Sequence, residues 1–81
     1  MTLEQLIGRF LQQHWNTQYV REILHDYSTN GNIAIALFEH YCEPLGGRRF
    51  VLRGFASTPF TRDEFISTTI NVLDRLDKTK D

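Results

Sequence analysis

The chain has 81 residues, 41% of them hydrophobic, with nine Lys and Arg against ten Asp and Glu and a formal net charge of −1. That balance gives one small globular domain and no global field to draw it onto nucleic acid or an anionic membrane. A domain of this size buries only about 60% of the surface its unfolded chain exposes, so it gains from a partner. The single Cys42 excludes an internal disulfide, and no spaced Cys/His set supplies a structural zinc site.

No apolar run approaches the roughly 20 residues of a membrane span. The first residues lack the charged, apolar and small-residue segments of a secretory signal. With a free thiol, this sets a cytoplasmic expectation. No repeat or Pro/Ser-rich linker divides the chain, so 1–81 reads as one domain, with a polar tail over about 77–81 expected to fray.

Leu3, Leu6, Ile7, Phe10, Leu11 and His14 recur at helical spacing, and Thr2 with Gln5 can cap that helix reciprocally. Tyr19, Val20, Ile23, Leu24 and Tyr27 do not continue its phase. A break near Trp15-Asn16-Thr17 and a second helix over about Gln18 to Tyr27 follow, with Asn30-Gly31 as a left-handed cap. Trp15, after an amphipathic helix, is expected to fold back and close the core.

Ile33 to Cys42 and Phe50 to Ala56 flank Pro44-Leu45-Gly46-Gly47 and read as a β-hairpin with its turn at Gly46-Gly47. Ile33, Leu37 and Tyr41 also fit a helix that Pro44 would end. The strand reading is preferred because Phe50 to Ala56 alternates arginines with aromatics and a lone strand leaves its backbone groups unpaired. A helix here would leave that strand to pair with another molecule. The final helix has the clearest local code: Thr61 as N-cap, Glu64 three residues on, and Phe60 placed to pack on Phe65. Its buried stripe is Phe65, Ile66, Ile70, Leu73 and Leu76, with Asp74 and Lys78 one turn apart on the wet side. The fold class is α+β in the order α-α-β-β-α, with three helices packed on one face of the hairpin.

In this register one hairpin face is core: Ile33, Ile35, Leu37, Tyr41, Phe50 and Leu52. The other carries Phe38, His40, Cys42, Arg49, Val51, Arg53 and Phe55, with Arg48 and Arg49 near the tip. Aromatics beside guanidiniums suit an interface centre. A two-stranded ribbon is marginal alone, and pairing with a second copy, face to face or edge to edge into a four-stranded sheet, would steady it. The expected binding residues are therefore Phe38, His40, Arg48, Arg49, Val51, Arg53 and Phe55.

These residues point to a non-enzymatic protein-interaction module, a regulator or inhibitor and a homodimer, with no cofactor, metal or small-molecule substrate. The alternative is single-stranded nucleic-acid binding, with Phe38 and Phe55 stacking on bases and arginines on phosphates. Gly47 to Phe55 resembles the RNP1 strand of RNA-recognition domains in its glycines, arginines and aromatics. It lacks the aromatic directly after the first glycine and a four-stranded sheet, so it marks no family. A helix-turn-helix reading finds no glycine turn at Trp15-Asn16-Thr17 and only Arg21 as a contact. His40 and Cys42 on one strand face could form a thiol–imidazole pair, but no third group or oxyanion donor accompanies them. Glu22, Asp26, Glu39 and Glu43 read as solvating charges.

Overall fold

Four threonines decide where the helices begin. The structure, a computed structural model, describes residues 2–55 and 58–78, the last two of these as backbone. Within it α1 spans Leu3–His14, α2 Gln18–Asp26, α3 Asn30–Tyr41 and α4 Arg62–Lys78. Each starts just after a threonine whose hydroxyl accepts the N–H three residues on. The pairs are Thr2 with Gln5, Thr17 with Val20, Thr29 with Asn32 and Thr61 with Glu64, at 3.2–3.3 Å. Such a cap satisfies one of the donors that a helix start leaves open. Two of the starts are full capping boxes, as the sequence suggests: Gln5 Oε1 accepts from Thr2 N–H and Glu64 Oε1 from Thr61 N–H, both at 3.0 Å. Phe60 and Phe65 stack at 5.4 Å to complete the staple at α4.

The segment from Ile33 to Tyr41 is helical, which corrects the strand expected there and makes the order α-α-α-β-β-α. Asn30-Gly31 accordingly opens α3 instead of capping α2, which closes at Asp26 with Tyr27 extended. The reason lies in burial. Ile33, Ala34, Ala36, Leu37 and Phe38 are all buried, because α3 is enclosed by its neighbours and packs on α4 and α2. A helix buried on most sides has no clean stripe, so its apolar residues fit a period of two as readily as 3.6.

The hairpin is shorter and starts where α3 stops. Strand β1 (Cys42–Gly46) pairs antiparallel with β2 (Arg49–Leu52), so the partner that β2 requires comes from its own chain. The pairs are Cys42 with Leu52, Glu43 with Val51, Pro44 with Phe50 and Gly46 with Arg49, leaving Leu45 as the extra residue of a bulge. The turn residues are Gly47 and Arg48, at φ of 59° and 63°. Positive φ at both central positions is what a two-residue primed turn requires. Moving the turn from Gly46-Gly47 shifts the pairing by two residues, and the bulge takes one back. That net slip of one puts Cys42 opposite Leu52 on the core side, where Val51 was expected as its partner. The Ala56 end of the second expected strand lies outside the described residues.

The core joins all of these elements. Ile7, Phe10, Leu11, Val20, Leu37, Leu52 and Phe65 are wholly buried, and Trp15 packs against them partly covered. On α4 the buried positions are Phe65, Thr69, Val72 and Leu73, while Ile66 and Ile70 are half-buried and Leu76 is exposed. The polar Thr69 hid the true stripe from a reading that looked for apolar residues. Among the described residues, polar links from Glu4 to Arg75 and from Asn30 to Asp74 tie α4 to the rest. The helix runs on to Lys78, and residues 79–81 of the expected frayed tail lie outside the described set, as does the Lys78 side chain. Among the described residues no helix is long and apolar enough to cross a membrane.

Candidate functional site

The face expected from sequence is not assembled, because its residues go to three different places. Phe38 is on α3 and only 8% exposed. Its ring meets Phe50 at 4.7 Å and Phe65 at 5.7 Å, with the Arg62 guanidinium over it at 5.8 Å. It is a core residue with a cationic lid. His40 lies in the last turn of α3, two residues before β1: it is exposed, and its Nδ1 shares a 2.8 Å hydrogen bond with the Tyr19 hydroxyl. Phe55 is half-buried against Phe10 at 5.9 Å and His14 at 6.3 Å.

The β2 residues do alternate as the sequence suggests. Leu52 is buried and Phe50 half-buried on the inner face, while Arg49 and Arg53 stay exposed on the outer face with half-buried Val51 between them. Arg53 Nε donates to Glu43 Oε1 at 2.8 Å across the base of the hairpin, and its backbone N–H donates to Tyr41 O at 2.9 Å. That pair neutralises both charges locally. Arg48 and Arg49 stand at the tip.

The second grouping, which the sequence did not reveal, is a run of rings at the junction of α1, α2 and α3. Tyr41 contacts Phe10 at 4.8 Å, His14 at 5.8 Å and Tyr19 at 6.0 Å, and Tyr19 contacts His40 at 4.9 Å. Burial pushes the Tyr41 phenol up and the nearby Tyr19 adds to this, against an opposing pull from the Thr17 hydroxyl. These rings lie against one another, and Phe10 beneath them is buried. They close the helix junction.

The thiol–imidazole idea finds no support in the geometry. Cys42 caps α3, its N–H donating to Phe38 O, and its side chain is part of the core. Burial pushes its thiol up to about 12, which leaves almost no thiolate at neutral pH. Among the described residues no group of three or more His, Cys, Asp and Glu could hold a metal ion.

The hairpin tip is the remaining surface with chemistry of its own. Pro44, Leu45, Gly46, Gly47, Arg48 and Arg49 are all exposed, and Leu45, at 57%, is the most exposed large apolar residue among the described ones. A polar turn residue would be cheaper there, and this misplaced leucine between Pro44 and Gly46 was the available sequence signal. Arg48 adds a second oddity. Left-handed backbone costs a residue with a Cβ roughly 1–2 kcal/mol, and asparagine or glycine would adopt it more cheaply.

Strand edges complete the description. Phe50 N–H donates to Phe60 O at 2.8 Å and Phe60 N–H to Phe50 O at 2.9 Å, so the outer side of β2 is closed at Phe50. Since the main-chain groups of Phe50 turn toward Phe60, Pro44 opposite it turns its own outward, as Cys42 does two residues earlier. Pro44 has no N–H, and that of Cys42 is taken by Phe38 O. The outer edge of β1 therefore has nothing to donate at either position.

No protein-family model, curated protein or solved structure matches this chain.

Proposed function

We propose that the protein is a non-enzymatic interaction module, a regulator or inhibitor that engages another protein through its β-hairpin. One observation carries this reading: an exposed leucine at the tip of a hairpin whose turn places an arginine in left-handed backbone. Strained backbone in a non-glycine residue clusters at ligand clamps and contact sites, and here it lies three residues from an exposed leucine and next to a second exposed arginine. Preset turn geometry also lowers the ordering cost of binding.

Self-association remains part of the proposal. A face-to-face pairing would proceed without the buried Phe38, and an edge-to-edge pairing without an N–H from Cys42 or Pro44. The nucleic-acid alternative needs Phe38 and Phe55 on one open surface, and the buried Phe38 removes half of that platform.

The test is gel filtration of the tagged full chain from freshly opened cells that make it, beside the purified protein by light scattering. A module runs in the lysate at a mass well above its own 9.5 kDa, and Leu45→Asp with Arg48→Glu returns it to that mass without changing its melting temperature. Purified protein at twice 9.5 kDa, again reduced by the tip changes, identifies the partner as a second copy. Wild-type chain running at 9.5 kDa in both settings defeats the proposal.

A further inference from the structure

The geometry points to a specific mode of docking: the hairpin enters a cleft of an acidic protein tip first, with Leu45 in an apolar pocket and Arg48 and Arg49 on carboxylates at its lip. This inference rests on the interaction-module reading above and adds the mode and the partner's chemistry.

Strand addition is poorly served at either edge of the hairpin. The outward positions of β1 offer no free N–H at Cys42 or Pro44, and Phe50 of β2 already exchanges both of its bonds with Phe60. What stays available is the end of the hairpin. Of the hairpin's charged groups, Arg53 at the base is held by Glu43, whereas Arg48 and Arg49 at the tip make no ion pair among the described residues. Arg49 is near enough to Glu64 to help hold that carboxyl low, so Arg48 is the less compensated of the two.

A doubly basic tip on a chain of net charge −1 is a local contrast, and it selects a partner that is acidic where the tip arrives. Guanidiniums match carboxylates in bidentate geometry and lose little of their hydration on doing so. The companion side chain chooses between acidic proteins and nucleic acid. The exposed apolar group at the tip is an aliphatic leucine, which fills a pocket, and no exposed ring accompanies it to stack on bases.

The experiment places the photo-cross-linking residue p-benzoylphenylalanine at position 45, or as a control at position 19 on α2, in the full chain within cells that make it. Expected is an adduct from position 45 on one protein, its linked peptide lying in an apolar cleft flanked by Asp or Glu. Its yield should fall by about tenfold or more when Arg48→Glu and Arg49→Glu are added, with the melting temperature unchanged. An adduct indifferent to those charges, one removed by nuclease, one formed with a second copy, or an adduct from position 19 alone each overturns the tip-insertion inference. The last two leave the interaction module standing, the one with a second copy as its partner and the other on another surface. No adduct from either position, together with a lysate mass of 9.5 kDa, overturns both.

Discussion

Thr69 offers the sharpest test of the packing described above. It is 0% exposed on the buried stripe of α4, and its hydroxyl is the buried side-chain polar atom without a hydrogen-bond partner among the described residues. An unsatisfied buried hydroxyl costs about 1–3 kcal/mol of desolvation. Valine has nearly the same shape, the same β-branching and a similar helix propensity, so Thr69→Val removes the hydroxyl without disturbing the backbone. The methyl that replaces it adds hydrophobic burial of about 0.8 kcal/mol at most. The expected gain is about 1–2 kcal/mol, and each kcal/mol raises the melting temperature of a domain this size by roughly 4–8 °C. Urea unfolding, with a slope near 1 kcal/mol/M for small proteins, should show the midpoint rising by about 1 M or more. Thr69→Ser keeps the hydroxyl and loses the methyl, so it should fall below wild type by about 1 kcal/mol. The order Val above Thr above Ser is the signature. A valine variant no more stable than wild type would refute the reasoning, since the hydroxyl must then have a partner such as the Phe65 carbonyl or an enclosed water.

Other expectations come from the caps, the thiol and the turn. Thr61→Ala should destabilise by roughly 1 kcal/mol in chemical denaturation, because it removes the N-cap acceptor of α4. The hydrogen bonds from the Thr61 backbone and side chain hold the Glu64 carboxyl below its ordinary value, so its contribution is present at neutral pH and is lost as pH falls through that lowered pKa. Glu64→Gln should flatten the acid limb of stability against pH, and an unchanged limb would argue against the capping role. Cys42 has the opposite sign. Its thiol moves from an ordinary 9.0 to about 12, so the unfolded chain loses its proton first and stability declines as pH rises across that window. Native alkylation by iodoacetamide at pH 8 should be slow and should accelerate sharply in denaturant; a rate equal to that of the unfolded chain would contradict the burial. At the turn, Arg48→Gly relieves the left-handed strain but frees the unfolded chain, for a net gain of about 0–1 kcal/mol. It should weaken partner binding at the same time, and a variant that loses stability instead would show that Arg48 is not strained.

The starts of α1 and α4 were legible because their capping boxes are local: the residues that satisfy the first N–H groups lie within three positions of one another. The same holds for the alternation of β2, where Phe50 and Leu52 face inward and Arg49 and Arg53 outward. Thr17 and Thr29 cap in the same way without a distinctive local signal, since neither is followed by the glutamine or glutamate that makes a box reciprocal. The candidate surface was only partly visible. Arg48 and Arg49 were placed correctly at the tip, while Phe38, His40 and Phe55 were joined to it by a register that did not form.

What the amino-acid order determined by itself was the α+β class, the helix starts with complete local caps and the presence of a hairpin, its turn falling one residue beyond Gly46-Gly47, all set by interactions between near neighbours. Whether Ile33 to Tyr41 coiled or extended was decided by tertiary packing, because a segment enclosed by α2, α4 and the hairpin base is apolar on most sides and satisfies either period. The hairpin register followed from that choice. Once α3 ran to Tyr41, β1 could begin only at Cys42, and the Leu45 bulge turned Cys42 inward and left Leu45 and Arg48 in water.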